Sequence, residues 1–131
     1  MSLTGLVPIL QCRSVDRSLK FYKDSLQFIE IRSRKGSSET EWAYIKSDNT
    51  FLMLEHNPAI EPRSEQSISL YFYSDNIKAF HQYMKAKNFA VSELQQTEYG
   101  LLQCCFSDPD GHKIQIGELG KNKHKQDYLA F

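Results

Sequence analysis

A pattern of strand, helix and further strands occurs twice in this chain of 131 residues. The first copy begins with an apolar run of strand length at 5–12 and continues at 14–26, where apolar residues recur at helical spacing. The second copy begins with a strand-like run at 67–73 and continues with a helical stretch that follows Ser74. Self-similarity at a long, fixed period is the mark of an internal duplication. We therefore expect two tandem βαβββ modules.

The duplication predicts an α+β fold in which the two βαβββ modules form a curved mixed sheet around a concave cavity, with helices on the outer face. We expect the first module at 1–56 and the second at 67–119. The stretch at 57–66 contains two prolines and mixed charges, which favour a linker, and the polar residues 120–131 predict a tail. Together these segments form one compact domain, because a chain of this length can bury a full core.

Equivalent positions in the two modules follow from the same comparison. We expect Ser14 to correspond to Ser74 and Phe28 to Phe89, with Phe89 beginning a strand of the second module. Near the end of the second module, Asp-Pro-Asp-Gly at 108–111 is a strong turn signal, because proline fixes φ, aspartate bonds the local backbone and glycine accepts a positive φ. It predicts an antiparallel hairpin whose second strand carries Gln115.

Composition excludes several classes of partner. Sixteen basic and sixteen acidic residues cancel, so no global field attracts nucleic acid or an anionic membrane. The three cysteines include an adjacent pair and form no metal-binding or disulfide pattern, so we interpret them as reduced thiols. No apolar run approaches the ~20 residues of a spanning helix, and the start carries no signal-peptide pattern. These features predict a cytoplasmic protein.

Alternation of side chains across each strand predicts which residues face the core. We expect Ile68, Leu70 and Phe72 to pack under a helix. On two strands of the first module, the residues expected in the core are Ala43, Ile45, Leu52 and Leu54.

The residues between these core positions should face the opposite side of the sheet. They are mainly aromatic with a few polar groups, which is the usual composition of a small-molecule pocket. A partner subunit that covers the same aromatic rings is an alternative explanation. The expected ligand-binding residues are Trp42, Tyr44, Met53, Glu55, Ser69, Tyr71, Tyr73, Gln103 and Gln115.

The chain resembles the glyoxalase/bleomycin-resistance/extradiol-dioxygenase superfamily, also called vicinal oxygen chelate proteins, from residue 6 to about 119. The stretches that carry the resemblance are Asp16–Phe28 after the first strand, Ser74-Asp75-Asn76 at the second helix start, and Ser107–Gln115 around the turn. One departure is Leu26-Gln27-Phe28, where the family usually has Leu-Gly-Phe. The resemblance implies the doubled βαβββ fold and a homodimer.

Enzymes of that superfamily hold one divalent metal with His or Glu side chains from equivalent strands. The resemblance places these ligand positions at Val7, Met53, Ser69 and Gln115, none of which is a carboxylate, imidazole or thiolate. An alignment anchored on the two Ser-Asp pairs would place Glu55 instead of Met53 at the position of Gln115. We prefer Met53, although Glu55 has the same parity. We therefore expect no metal and no cofactor.

Three functions of different kinds remain open. The first is a metal-free binding protein that holds an aromatic or cationic small molecule, with aromatic rings for stacking and Glu55 as the counter-charge. The second is a metal-dependent enzyme of the glyoxalase, lyase or dioxygenase type, and the third is a structural or regulatory dimer without a ligand. We favour the first. We expect no catalytic residue, since His56 and His112 lack a positioned partner.

Overall fold

The computed structural model describes residues 1–61 and 68–120. Residues 62–66 of the expected linker and 121–131 of the expected tail lie outside the described residues. The described part divides into two compact units. The first unit contains 1–61 together with Asp108–His112, and the second contains 68–107 and 113–120. The turn at 108–111 thus belongs to the first unit, although the strands that it joins belong to the second.

The first unit is a four-stranded sheet with one helix. Its strands lie in the order β1-β4-β3-β2, with β1 parallel to β4 and the other neighbours antiparallel. The helix packs against β3 and β4. The elements are β1 (Ile9–Cys12), α1 (Val15–Leu26), β2 (Ile29–Lys35), β3 (Thr40–Ser47) and β4 (Thr50–His56).

The second unit repeats this arrangement. Its strands lie in the order β5-β8-β7-β6, with β5 parallel to β8 and the hairpin of β7 and β8 antiparallel. The two four-stranded mixed sheets confirm the prediction of tandem βαβββ modules. The elements are β5 (Ser69–Ser74), α2 (Ile77–Ala86), β6 (Gln95–Gln96), β7 (Leu102–Ser107) and β8 (Lys113–Glu118).

Two predicted details of the second module are wrong. Phe89 does not begin a strand, and only Gln95–Gln96 pairs with β7. Ahead of that pair, the Ser92 hydroxyl accepts the Cys105 backbone N–H at 2.9 Å, so a side chain takes the place of a regular ladder bond. The equivalent of Ser14 is Asn76 and not Ser74, because Ser14 and Asn76 are the two helix N-caps.

The cores follow the alternation of the strands, with one exception. Ala43, Ile45, Leu52 and Leu54 are all buried in the first unit, as predicted. In the second unit Leu70 is buried and Phe72 is half-buried, but Ile68 is 68% exposed. Ile68 precedes β5 and is not part of the strand ladder, so the alternation does not apply to it.

Asp108 organises the turn that joins β7 to β8. Its carboxylate accepts the backbone N–H groups of Asp110 and His112, both at 2.9 Å, and the Tyr22 hydroxyl at 2.7 Å. Gly111 completes the turn with a φ of 87°, as the turn signal predicted. Burial raises the pKa of the Asp108 carboxyl above its ordinary value, although the Tyr22 hydrogen bond opposes this shift.

Asp110 is 2% exposed and supports the start of α1. Its carboxylate accepts the Arg13 backbone N–H at 3.1 Å and the Ser18 hydroxyl at 3.3 Å, and the Arg17 guanidinium lies 3.6 Å away. A carboxylate at the N-terminus of a helix also interacts favourably with the helix dipole. The second aspartate of the turn is therefore a buried acceptor that holds the start of α1 in place.

The two histidines considered in the sequence have structural contacts. His112 is buried, and its Nε2 donates a hydrogen bond to the Gln11 carbonyl at 2.9 Å. His56 Nε2 lies 2.6 Å from a carboxylate oxygen of Glu39. Each contact gives its histidine a structural role. That neither histidine has a catalytic role stays a prediction.

The cysteines are free thiols. Cys12 and Cys104 are buried, while Cys105 is half-exposed. Burial raises the pKa of Cys12 to about 12 and that of Cys104 to about 11, so both remain protonated at neutral pH and act as small apolar residues. Within 1–61 and 68–120, no helix is long and apolar enough to cross a membrane.

Replacing Asp110 should destabilise the fold. Asp110→Ala leaves the Arg13 N–H and the Ser18 hydroxyl without their acceptor in a buried site, at a cost of about 1–3 kcal/mol in the free energy of unfolding. Urea unfolding monitored by circular dichroism measures this loss. Asp24→Ala, which removes an exposed carboxylate of the same helix region, is the control and should change stability by less than about 1 kcal/mol. Equal effects of the two substitutions would contradict this role of Asp110.

Candidate functional site

An aromatic strip covers the sheet face of the first unit that does not pack against α1. The Trp42 and Tyr44 rings stack with centroids 6.2 Å apart, and Tyr44 stacks on Phe51 at 5.8 Å. Met53 faces Tyr44 across the β3–β4 pair, and all four side chains are half-exposed. The expected residues Trp42, Tyr44 and Met53 therefore share one surface, which Phe51 extends.

Glu55 lies on the same face as this strip. It pairs with Gln11 across β1 and β4, and the Gln11 side-chain amide donates to its carboxylate at 2.6 Å. The carboxylate is exposed and has one hydrogen-bond donor in place. Gln11 thus fixes the orientation of an exposed negative charge beside the aromatic strip.

The second unit contains a cavity of about 290 Å³. Three residues expected from the sequence, Tyr71, Tyr73 and Gln103, line it. Five further lining residues were missed in the sequence; they are Thr97, Glu98, Tyr99, Leu101 and Glu118. Ser69 and Gln115 belong to the same sheet but are not among the lining residues, and Gln115 lies between Tyr71 and Cys105 in the strand pairing.

Tyr71 forms a fixed wall of this cavity. Its hydroxyl donates to the Gln103 side-chain carbonyl at 3.1 Å, and its ring lies 5.3 Å from that of Tyr73. The ring crosses Gly117, where an added Cβ would lie 2.6 Å from a ring carbon of Tyr71. Burial, and to a smaller extent the neighbouring Tyr73, raise the pKa of Tyr71, so its hydroxyl is a donor at neutral pH.

A tight turn at 97–101 supplies four of the five lining residues that the sequence did not reveal. The Thr97 hydroxyl accepts the backbone N–H groups of Tyr99 at 3.3 Å and Leu101 at 3.2 Å, and Gly100 has a φ of 80°. The turn presents Glu98 and Tyr99 to the cavity. Gly100 was an available signal for this turn, because glycine accepts the positive φ that a tight turn requires.

Glu118 closes the cavity at the end of β8. Its carboxylate accepts the Leu102 backbone N–H at 2.9 Å, which fixes one of its oxygens at the start of β7. The cavity therefore has tyrosine rings, one side-chain amide and two carboxylates in its lining. Such a site suits a small molecule with an apolar or positively charged part.

The strand registers clarify which positions of the two modules are equivalent. Ile9 faces Met53 across β1 and β4, and Tyr71 faces Gln115 across β5 and β8 with the same separation in sequence. Tyr44 faces Met53 in one hairpin, and Cys105 faces Gln115 in the other. The registers thus agree with the alignment that pairs Met53, rather than Glu55, with Gln115.

Residues 5–116 match the family model described as the Glyoxalase/Bleomycin resistance protein/Dioxygenase superfamily. No curated protein matches the chain significantly. Among solved structures, a bleomycin-binding protein complexed with bleomycin is 17% identical, with a TM-score of 0.73 over 90% of this chain and 100% of that one.

Two other solved structures have a similar fold but are described as different kinds of protein. An antibiotic binding protein from a Streptomyces species is 21% identical, with a TM-score of 0.69 over 90% of this chain and 98% of that one. A lactoylglutathione lyase from Agrobacterium tumefaciens is 16% identical, with a TM-score of 0.69 over 90% of this chain and 96% of that one. These likenesses establish the fold of this chain.

Gly117→Ala should displace Tyr71. The new methyl group would overlap the Tyr71 hydroxyl, so the ring must leave its place and lose its bond to Gln103, at a cost of about 0.5–1.5 kcal/mol in the free energy of unfolding. A double-mutant cycle by chemical denaturation, with Tyr71→Ala as the second substitution, isolates this contact. In the Tyr71→Ala background, Gly117→Ala should be nearly neutral, and an unchanged cost there would show that the glycine serves another purpose.

Proposed function

The chain belongs to the glyoxalase/bleomycin resistance/dioxygenase superfamily, and from that premise we propose that it is a metal-independent small-molecule-binding protein. The observation that carries the proposal is the cavity of the second unit, with three tyrosine rings in its lining. Pockets of this composition recognise ligands through aromatic contact and a few directed polar groups. An aromatic or cationic ligand held by sequestration fits this lining.

The chemistry at the positions that the family uses for metal supports metal independence. Val7 offers no donor, Met53 a thioether, and Ser69 a neutral hydroxyl, while hard or borderline divalent ions need carboxylate or imidazole ligands. Gln115 adds one neutral amide. Elsewhere in the described residues, no group of three His, Cys, Asp or Glu side chains is placed to hold a metal ion. The residues present therefore do not fit the family's metal.

The aromatic strip and Glu55 extend the proposal to the first unit. Trp42 and Tyr44 are half-exposed, and the Gln11 amide holds the Glu55 carboxylate beside them. We include these residues, together with Met53, Ser69 and Gln115, among the proposed ligand-binding positions. The proposed protein is a cytoplasmic homodimer, the assembly that the family resemblance implies.

Metal binding is the first test. Protein purified without chelator should contain less than about 0.1 equivalent of Zn, Ni, Mn or Fe by mass spectrometry, and titration with each divalent ion should give no stoichiometric binding, because neutral donors bind such ions weakly. Stoichiometric, tight binding of any of these ions would overturn the metal-independent function and favour a metal-dependent enzyme of the same superfamily.

Ligand binding is the second test. In isothermal titration calorimetry against bleomycin and a panel of neutral and cationic aromatic compounds, at least one member should bind, and Tyr71→Ala should weaken that binding by about tenfold through loss of a stacking surface. Tyr83→Ala is the matched control, because Tyr83 lies on α2 and does not line the cavity. No heat signal across the whole panel, or equal losses in the two variants, would count against the proposed pocket.

A further inference from the structure

The charge of the second unit's cavity has one sign. Glu98 and Glu118 carry the two charged groups of its lining, and none of the eight lining residues is Lys, Arg or His. The chain as a whole has a formal net charge of zero. The cavity therefore concentrates negative charge on a protein whose charges cancel as a whole, and a positively charged ligand interacts favourably with it.

Neither carboxylate is neutralised by a cation of the described residues. The ion pairs among them involve other acids; for example, Glu93 pairs with Lys85 at 2.9 Å. Glu118 instead accepts a backbone N–H from Leu102, which orients the carboxylate without cancelling its charge. An oriented anion that has no countercation within 1–61 and 68–120 can pair with a bound cation.

The tyrosine rings favour the same ligand. Tyr71, Tyr73 and Tyr99 line the cavity, and the rings of Tyr71 and Tyr73 are tilted by 57° to each other. The faces of aromatic rings carry negative electrostatic potential. Several rings that line one cavity can therefore bind an alkylated ammonium group, which water solvates weakly. Rings and carboxylates thus act together on one positive centre.

The volume limits the size of the ligand. About 290 Å³ lies just below the usual range for small-molecule pockets, which is roughly 300–1,000 Å³. We infer that the cavity of the second unit takes a small organic cation, a quaternary or fully alkylated ammonium group on a short chain or a single ring. This inference rests on the proposed small-molecule-binding function and names its ligand class.

Charge selection is tested with probes of equal shape. Choline is compared with its neutral analogue, dimethylbutanol, in which a tert-butyl group replaces the trimethylammonium group, and with the tert-butylacetate anion. Calorimetry or protein-observed NMR on the full chain should show choline binding at least about tenfold more tightly than the neutral analogue, with no detectable binding of the anion. Raised ionic strength should weaken the binding of choline and leave the binding of dimethylbutanol unchanged.

Variants locate the selection in this cavity. Glu98→Gln keeps the shape of the side chain. It should weaken choline binding by about three- to tenfold and leave the binding of dimethylbutanol unchanged. Tyr99→Leu should weaken the binding of choline more than the binding of dimethylbutanol, because leucine keeps the apolar contact but has no aromatic face. Glu30→Gln is the control, since it makes the same change in net charge at an exposed residue outside the cavity.

The possible results separate this inference from the proposed function. Equal binding of choline and dimethylbutanol, or equal effects of Glu98→Gln and Glu30→Gln, would overturn cation selection. Binding of neutral aromatic compounds that requires Tyr71, without any binding of choline, would also overturn it while the proposed function stands. A preference for choline over dimethylbutanol that is lost in the Glu98→Gln variant would support the inference.

Discussion

The fold of the first unit depends on two buried aspartates that come from a distant part of the sequence. Asp110 accepts hydrogen bonds at the start of α1, and Asp108 accepts the hydroxyl of Tyr22 on the same helix while holding its own turn. Every buried side-chain nitrogen and oxygen of the described residues has a hydrogen-bond partner. Burial of two carboxylates is costly, and it is offset here by this full set of donors. The turn is therefore part of the core and not a surface loop.

In each unit, the sheet face that does not pack against the helix carries aromatic side chains. In the second unit, Tyr71 lies over Gly117 and bonds Gln103, so its ring is positioned by the sheet itself. Preorganised rings lose little conformational freedom when a ligand binds. The same face of the first unit carries Trp42 and Tyr44 in a stack.

Much of this arrangement was predictable from short-range patterns. The N-cap at Ser14, the alternation around Ala43 and Ile45, and the turn at 108–111 all follow from local preferences that survive in the structure. The strand expected at Phe89 failed because Ser92 bonds the backbone of β7 and the regular ladder begins only at Gln95. The turn that carries Glu98 and Tyr99 was missed because hydrogen bonds to the Thr97 hydroxyl hold it, and strand alternation gives no sign of such bonds.

The sequence by itself determined the doubled βαβββ plan, the superfamily, and the absence of His or Glu at the family's ligand positions, because periodicity, turn chemistry and residue type are local properties. Tertiary structure decided what the Asp-Pro-Asp-Gly turn is for and which residues enclose the cavity. Asp110 meets Ser18 across 92 positions of sequence, and Glu118 meets Leu102 through strand pairing. Such partners depend on register and chain path, which no single stretch of sequence specifies.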